Sequence, residues 1–294
     1  DVCSSDLIQV PIAPRAEQTR IVAKLEELLS DLDAGVAELK AAQKKLKQYR
    51  QSLLKAAVEG ALTADWRAKN TPSETGAQLL TRILTERRAR WEAKQLAKFA
   101  EQGKTPPKDW QKKYPEPVQP DTSDLPELPE GWVWGTIDQV ASIGTGVTPL
   151  KSNSQYYTGG DIPWVTSGAL NNEMVTAAIE YVTTLALTEC RLGLYPAGTL
   201  LVAMYGEGKT RGKCSELAIP ATINQAIAAL VLEEAATSCK PYVKLFLLKS
   251  YNDMRNQASG GVQPNLNLQI IRSIVILSWS SFFEHPDRES AAQA

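Results

Sequence analysis

Between Ile21 and Ala56 the apolar residues recur at steps of four and three. The seam runs Ile21, Leu25, Leu28, Leu32, Gly35, Leu39, Ala42, Leu46, Tyr49, Leu53 and Ala56. A heptad seam sustained this far specifies one long α-helix. Pro14 stands just before the periodic run, where a helix can begin, and Gly60 stands just after Glu59, near a natural stop. Roughly 40 helical residues would span about 60 Å. A lone helix of that length cannot bury its own seam, so it calls for a partner helix or subunit. Leu25, Leu28, Leu32, Leu39, Leu46, Tyr49 and Leu53 are the candidate docking residues, and Gly35 and Ala42 would allow close approach. Packing of the helix on its own domain is the simpler alternative.

Further on the texture changes twice. A second helical stretch is expected from about Thr75 to Gln102, carrying Arg82, Arg87, Arg88, Arg90, Lys94 and Lys98. Its apolar positions are less regular, so it reads as a connector with a solvated charged face, with a phosphate-binding helix as the alternative. Residues 105–130 hold seven prolines among acidic residues and read as a semi-extended linker. A domain boundary is expected near Gly131. Beyond it, strand-like runs ("WVWGTI", "IPWVTSG", "IEYVTT", "GTLLVAM", "AIAALVLE") alternate with Gly, Asn, Pro and Ser turns, and a helical patch covers about 240–257. The expected class is therefore α+β: a long coiled-coil helix plus a mixed, β-rich domain.

Charge and cysteine usage exclude several functions. Residues 71–115 carry 10 Lys/Arg against 5 Asp/Glu, residues 116–130 carry 5 acids and no bases, and residues 131–277 carry 10 of each. A whole-domain basic footprint for nucleic acid is absent, so any such contact must come from local clusters or be shared with a basic partner. The four cysteines (Cys3, Cys190, Cys214, Cys239) lack CxxC spacing, which argues against a zinc knuckle or disulfide framework and fits a reducing cytoplasm. The only histidine is His285, which disfavours a Ser–His–Asp triad or a His general base in the main body. No apolar run approaches membrane-spanning length, and no cofactor is implied.

Two loops carry candidate chemistry. "LVAMYGEGKTRGK" (201–213) approaches the phosphate-cradling pattern, but the position of its first glycine is Ala203 and the sequence after Thr210 has no helical period. ATP binding through Lys209 is thus the weaker reading. On an extended ribbon Lys209, Arg211 and Lys213 would share one face and suit phosphate and base-edge contacts, against a solvated charged turn as the alternative. "LKSNSQYYTGGD" (150–161) offers Lys151, Asn153, Gln155, Tyr156 and Tyr157, suited to base or sugar contacts or to an ordinary surface loop. "NQASGGVQPNLN" (256–267) is first of all turn chemistry.

Several segments resemble one family in order and spacing. "PIAPRAEQTRIVAKLEELL" (11–29) and "RQSLLKAAVEGALT" (50–63) resemble the ends of the long spacer helix of type I restriction–modification specificity subunits. "LPELPEGWVWGTIDQVASIGTG" (125–146), "GGDIPWVTSGAL" (159–170), "GTLLVAMYGEGKTRGKCSELAIPATINQAI" (198–227) and "GGVQPNLNLQIIRSIVI" (260–276) resemble landmarks of that family's target-recognition domain. The resemblance implies a non-catalytic, cytoplasmic subunit that reads half of a split double-stranded DNA site. It implies docking of methyltransferase subunits on the helix, with the restriction/translocase subunit joining indirectly. No glycine-rich methyl-donor loop, Asn-Pro-Pro-aromatic motif or nuclease carboxylate cluster is present to imply catalysis. On this reading residues 1–20 comprise a translated adapter ("DVCSSDL") and the end of a missing upstream recognition domain. Residues 21–63 are the spacer helix, 64–130 the connector and linker, and 131–277 the recognition domain; 278–294 form an atypical tail with no second heptad helix. The helix could then pair with a second copy. A coiled-coil adaptor with a β-rich protein- or carbohydrate-binding domain is the rival reading.

Overall fold

The computed structural model describes residues 11–70, 73–206, 209–259 and 265–278. Helix α1 spans Arg15–Val58, starting nearly two turns before the seam begins at Ile21. It stops because Gly60 turns left-handed, at φ +76°. A Cβ there would lie 2.6 Å from the Trp132 ring, so only glycine fits both the turn and the neighbour. The chain divides into two compact units between Leu53 and Leu54. In the first, nearly every α1 side chain is exposed, the heptad leucines included.

In the second unit the last turn of α1 is docked: Val58 is buried, and Tyr242 Oη donates to its carbonyl at 2.8 Å. The short α2 (Ala64–Arg67) follows, then α3 (Gly76–Glu101). Thr75 opens α3 with a capping box closed by Gln78. Among the described residues ten strands come next in chain order: β1 (Val133–Thr136), β2 (Ala141–Thr145), β3 (Ile162–Val165), β4 (Met174–Val175), β5 (Glu180–Val182), β6 (Leu200–Ala203), β7 (Cys214–Leu217), β8 (Thr222–Ile223), β9 (Ile227–Leu232) and β10 (Val275–Ser278). Helices α4 (Ile137–Val140), α5 (Thr184–Glu189), α6 (Lys240–Lys249), α7 (Tyr251–Ser259) and α8 (Leu268–Arg272) lie between them. The helical patch expected over 240–257 is therefore two helices, broken at Ser250. The class is α+β, as expected.

The strands form three sheets: β1–β10, the central β2–β9–β6–β7–β4, and β5–β3–β8. Strands β6 and β9 are buried on both faces, so they read as unbroken apolar runs. Leu200, Val202, Ala228 and Leu230 face the helices, among Leu79, Leu80, Ile83, Val243, Phe246 and Met254. Leu201, Ala203, Ile227 and Ala229 face the other way, among Val165, Leu170, Leu217 and Ile223.

This packing departs from the expected connector and linker. Helix α3 contributes Leu79, Leu80 and Ile83 to the main core instead of presenting only a solvated face. Several of its cations are matched to carboxylates: Arg82 to Glu74 at 2.9 Å, Arg88 to Glu92 at 3.2 Å, and Arg87 to both Asp138 and Glu233. Arg90 also pairs with Glu233. The proline-rich stretch is laid along this surface. Trp110 stacks on Trp91 with ring centroids 5.8 Å apart, and Tyr114 meets Trp91 edge-on at 5.4 Å. Val118 donates its N–H to Asp138 Oδ2 at 3.0 Å, and Thr136 Oγ1 donates to the Val118 carbonyl at 2.7 Å. The prolines keep the stretch extended; its aromatics and backbone groups fasten it down.

Candidate nucleic-acid interface

Strand directions gather several loops at one end of the central sheet. Ala203 at the end of β6 pairs with Ile227 at the start of β9, and Thr145 at the end of β2 pairs with Ala228. Val202 pairs with Cys214 at the start of β7, and β4 runs parallel to β7, entering from the same end. The β6–β7 loop, the segment after β2, the turn before β9 and residues 171–173 therefore share that end. They are cross-tied. Met204 N donates to the Ala226 carbonyl at 2.8 Å, Thr148 Oγ1 bonds Gln225 Oε1, and Thr145 Oγ1 donates to the Ile227 carbonyl at 2.8 Å. Gly146 packs so tightly that a Cβ would fall 1.6 Å from the Ile223 carbonyl oxygen.

The structure places the basic residues of the β6–β7 loop differently from an extended ribbon. The pairing with β6 continues through Lys213 to Gly212: Ala203 N donates to the Lys213 carbonyl at 2.9 Å, and Gly212 N donates to the Ala203 carbonyl at 2.8 Å. There the backbone turns: Gly212 sits at φ +83°, and Lys213 N donates to the Thr210 carbonyl at 3.0 Å. Alternation therefore does not set the directions of Lys209, Arg211 and Lys213. Lys209 is exposed and Arg211 half-buried. Lys213 Nζ donates to Asn171 Oδ1 at 2.7 Å, joining two loops of the same sheet end. The phosphate-loop geometry is not formed either, because strand β7 follows where a helix would have to begin. Glu207 and Gly208 lie outside the described residues.

The second candidate loop sits at the small sheet. The Lys151 ammonium lies 4.5 Å from the Tyr157 ring centroid and 4.7 Å from that of Trp164, and it pairs with Glu180. Tyr157 Oη donates to the Pro149 carbonyl at 2.6 Å, and Tyr156 Oη to Glu189 Oε2 at 2.9 Å. The Glu189 contact pushes the Tyr156 hydroxyl's pKa up, and burial does the same for Tyr157. Asn153 caps the short 3-10 turn Ser154–Tyr156, accepting from Gln155 N at 3.2 Å. Gln155 itself is exposed. Lys151 and Tyr156 thus tie the loop to β3, β5 and α5, while Asn153 and Tyr157 bond within or just beside it. Much of the third loop, 260–264, lies outside the described residues.

Sequence reasoning missed the residues that hold the basic loop from outside it. Tyr251 Oη donates to the Lys209 carbonyl at 2.8 Å, and Arg255 Nη1 donates to the Arg211 carbonyl at 3.1 Å. Their i, i+4 spacing on a helix was the available signal. On α1, the expected docking residues are all exposed, from 39% for Leu53 to 72% for Leu39. Val22, Leu29 and Val36, which were not singled out, widen the same apolar surface.

Comparison with known proteins adds an independent line. The model of the type I restriction modification DNA specificity domain matches residues 129–277. The MjaIX specificity subunit of Methanocaldococcus jannaschii is 27% identical over 161 residues, 52% of this chain and 35% of that protein. The EcoKI specificity subunit of Escherichia coli K12 is 45% identical over 64 residues, 22% of this chain and 14% of that protein. The chain thus spans about a third or less of these curated relatives. The crystal structure of an HsdS subunit from Thermoanaerobacter tengcongensis aligns with 92% of this chain and 48% of its own, at 16% identity and a TM-score of 0.45.

Proposed function

This chain belongs to the type I restriction–modification DNA specificity family, and from that premise we propose that it is a non-catalytic reader of one half of a bipartite double-stranded DNA site. The observation that carries the reading is the sheet end just described. Several turn-rich loops converge there on a central sheet whose strands β6 and β9 are buried on both faces. The basic residues Lys209, Arg211 and Lys213 belong to one of them. Loops on a rigid scaffold are where recognition residues are best placed, and cations among small residues suit phosphates and base edges.

The recognition unit is electrically balanced, with 10 basic and 10 acidic residues over 131–277. Phosphate attraction dominates nonspecific affinity, so partner subunits supply most of it on this proposal. The exposed α1 seam is the surface on which methyltransferase subunits dock, with a restriction/translocase subunit joining through them. A second copy of the helix is the alternative occupant of the seam. A cytoplasmic location goes with this assignment.

The test is selection from a randomised duplex pool, with the chain co-expressed with a candidate methyltransferase subunit. Enrichment of a short motif is expected, and its loss when Lys209, Arg211 and Lys213 are all replaced by Ala. A partner that co-purifies without any enriched motif would remove the half-site reading. Failure of both would favour the adaptor reading.

A further inference from the structure

We infer that Tyr251 and Arg255 are positioning residues for the basic loop: helix α7 clamps the backbone of residues 209–213, so that its cations stand in one arrangement before nucleic acid arrives. The inference rests on the DNA-reading role proposed above and names a device within it. Helix α7 is anchored by Met254, which is 1% exposed and sits in the main core. Residues 251 and 255 stand three before and one after Met254, so they flank the anchor on adjacent positions of one helix face. Their hydrogen bonds reach the carbonyls of Lys209 and Arg211, at 2.8 and 3.1 Å. Both acceptors are backbone groups. The clamp therefore fixes where the loop side chains start, whatever those side chains are.

Three further observations make the clamp one unit. The Arg255 guanidinium lies 5.4 Å from the Tyr251 ring centroid, so each orients the other. Gly212, in the left-handed region, brings the loop backbone down onto the pair. A Cβ there would lie 3.4 Å from both Arg255 Cγ and Tyr251 Cδ2. On the other flank, Lys213 is tied to Asn171. A loop ordered only on binding subtracts its ordering entropy from affinity, and a loop held beforehand does not.

The test uses the full chain, a mixed-sequence duplex, a series of salt concentrations, and amide hydrogen exchange at residues 209–213. Tyr251→Phe keeps the ring and removes only the donor; Arg255→Gln removes the charge. Each should weaken binding about fivefold, the worth of a typical hydrogen bond. Each should also speed exchange at 209–213 and leave the thermal unfolding midpoint in place. Arg255→Gln should keep the parent's slope of log affinity against log salt, whereas Lys209→Ala should lower it by about one phosphate contact. A slope that drops by about one in Arg255→Gln would make Arg255 a direct phosphate ligand and overturn the positioning role. Parental affinity and exchange in both variants would overturn it as well. If replacing Lys209, Arg211 and Lys213 by Ala leaves binding unchanged, the DNA-reading role falls and takes the clamp's purpose with it. If that triple variant loses binding while both clamp variants retain it, only the clamp falls. Tyr251→Phe stays informative should Arg255→Gln loosen the fold.

Discussion

Cys214 shows how the position of one side chain sets a pH dependence for the whole domain. It opens β7, is buried, and points into the main core beside the helices. Burial pushes its thiol from an ordinary 9.0 up to about 12. Burial also pushes up the Tyr242 hydroxyl, which donates to Val58. In both cases the folded state holds a proton that the unfolded chain releases at lower pH. The stabilisation is complete below about pH 9 and is lost as pH rises toward 12. Unfolding free energy, measured by urea titration, should therefore fall on the alkaline side by about 1.4 kcal/mol per pH unit for each such group. Cys214→Ala should remove one share of that slope. An unchanged slope in the variant would mean that the thiol titrates normally. No such residue-level consequence was visible in the sequence, where Cys214 is one of four scattered cysteines; its burial follows from pairing between β6 and β7.

At the scale of elements, α3 is the instructive case. Its ends were legible: Thr75 followed by Gln78 makes the capping box, and the helix runs to Glu101. Its role was not. Leu79, Leu80, Ile83 and Leu84 form a narrow apolar patch confined to the first third of the helix, too short to register as a periodic stripe over 26 residues. Arg87 and Arg90, which suggest solvent in the sequence, instead meet carboxylates brought from far along the chain, Asp138 and Glu233. Ile83→Ala should thus cost about 2–4 kcal/mol in urea unfolding, as expected for a fully buried aliphatic residue. A connector with a solvated face would lose almost nothing. The same reasoning covers the proline-rich stretch: its extended backbone followed from composition, while its attachment depended on Trp91, Tyr114 and Asp138 being in place.

At the scale of the whole molecule, the buried core is confined to one of the two units. None of the buried core residues precedes Val58 among the described residues, so the stretch of α1 up to Leu53 adds surface without adding core. Leu32 and Leu39, 61% and 72% exposed, lie on this surface. Replacing both with Asp should abolish co-purification of a methyltransferase subunit, or self-association seen by sedimentation. The urea unfolding of the recognition unit should stay within about 0.5 kcal/mol of the parent. A loss of the unit's own stability would show that the seam serves the fold and not a partner.

Local pattern along the chain was enough for whatever depends on spacing alone. The heptad spacing fixed the long helix and its unmatched apolar face, Gly60 fixed its end, and the doubly apolar runs of β6 and β9 announced buried strands. Landmark segments in order were enough to mark a relationship to the specificity family. Tertiary structure decided what depends on residues distant in the chain: the docking of α3 and the proline-rich stretch, and the Lys151 contacts with Tyr157, Trp164 and Glu180. It also decided the turn at Gly212, which removes the simple alternation of Lys209, Arg211 and Lys213. The physical reason is that periodicity reports which face of an element is apolar, whereas a loop's shape is set by whichever donors its neighbours supply. Here those donors are Tyr251 and Arg255, some 40 residues away from the loop they hold.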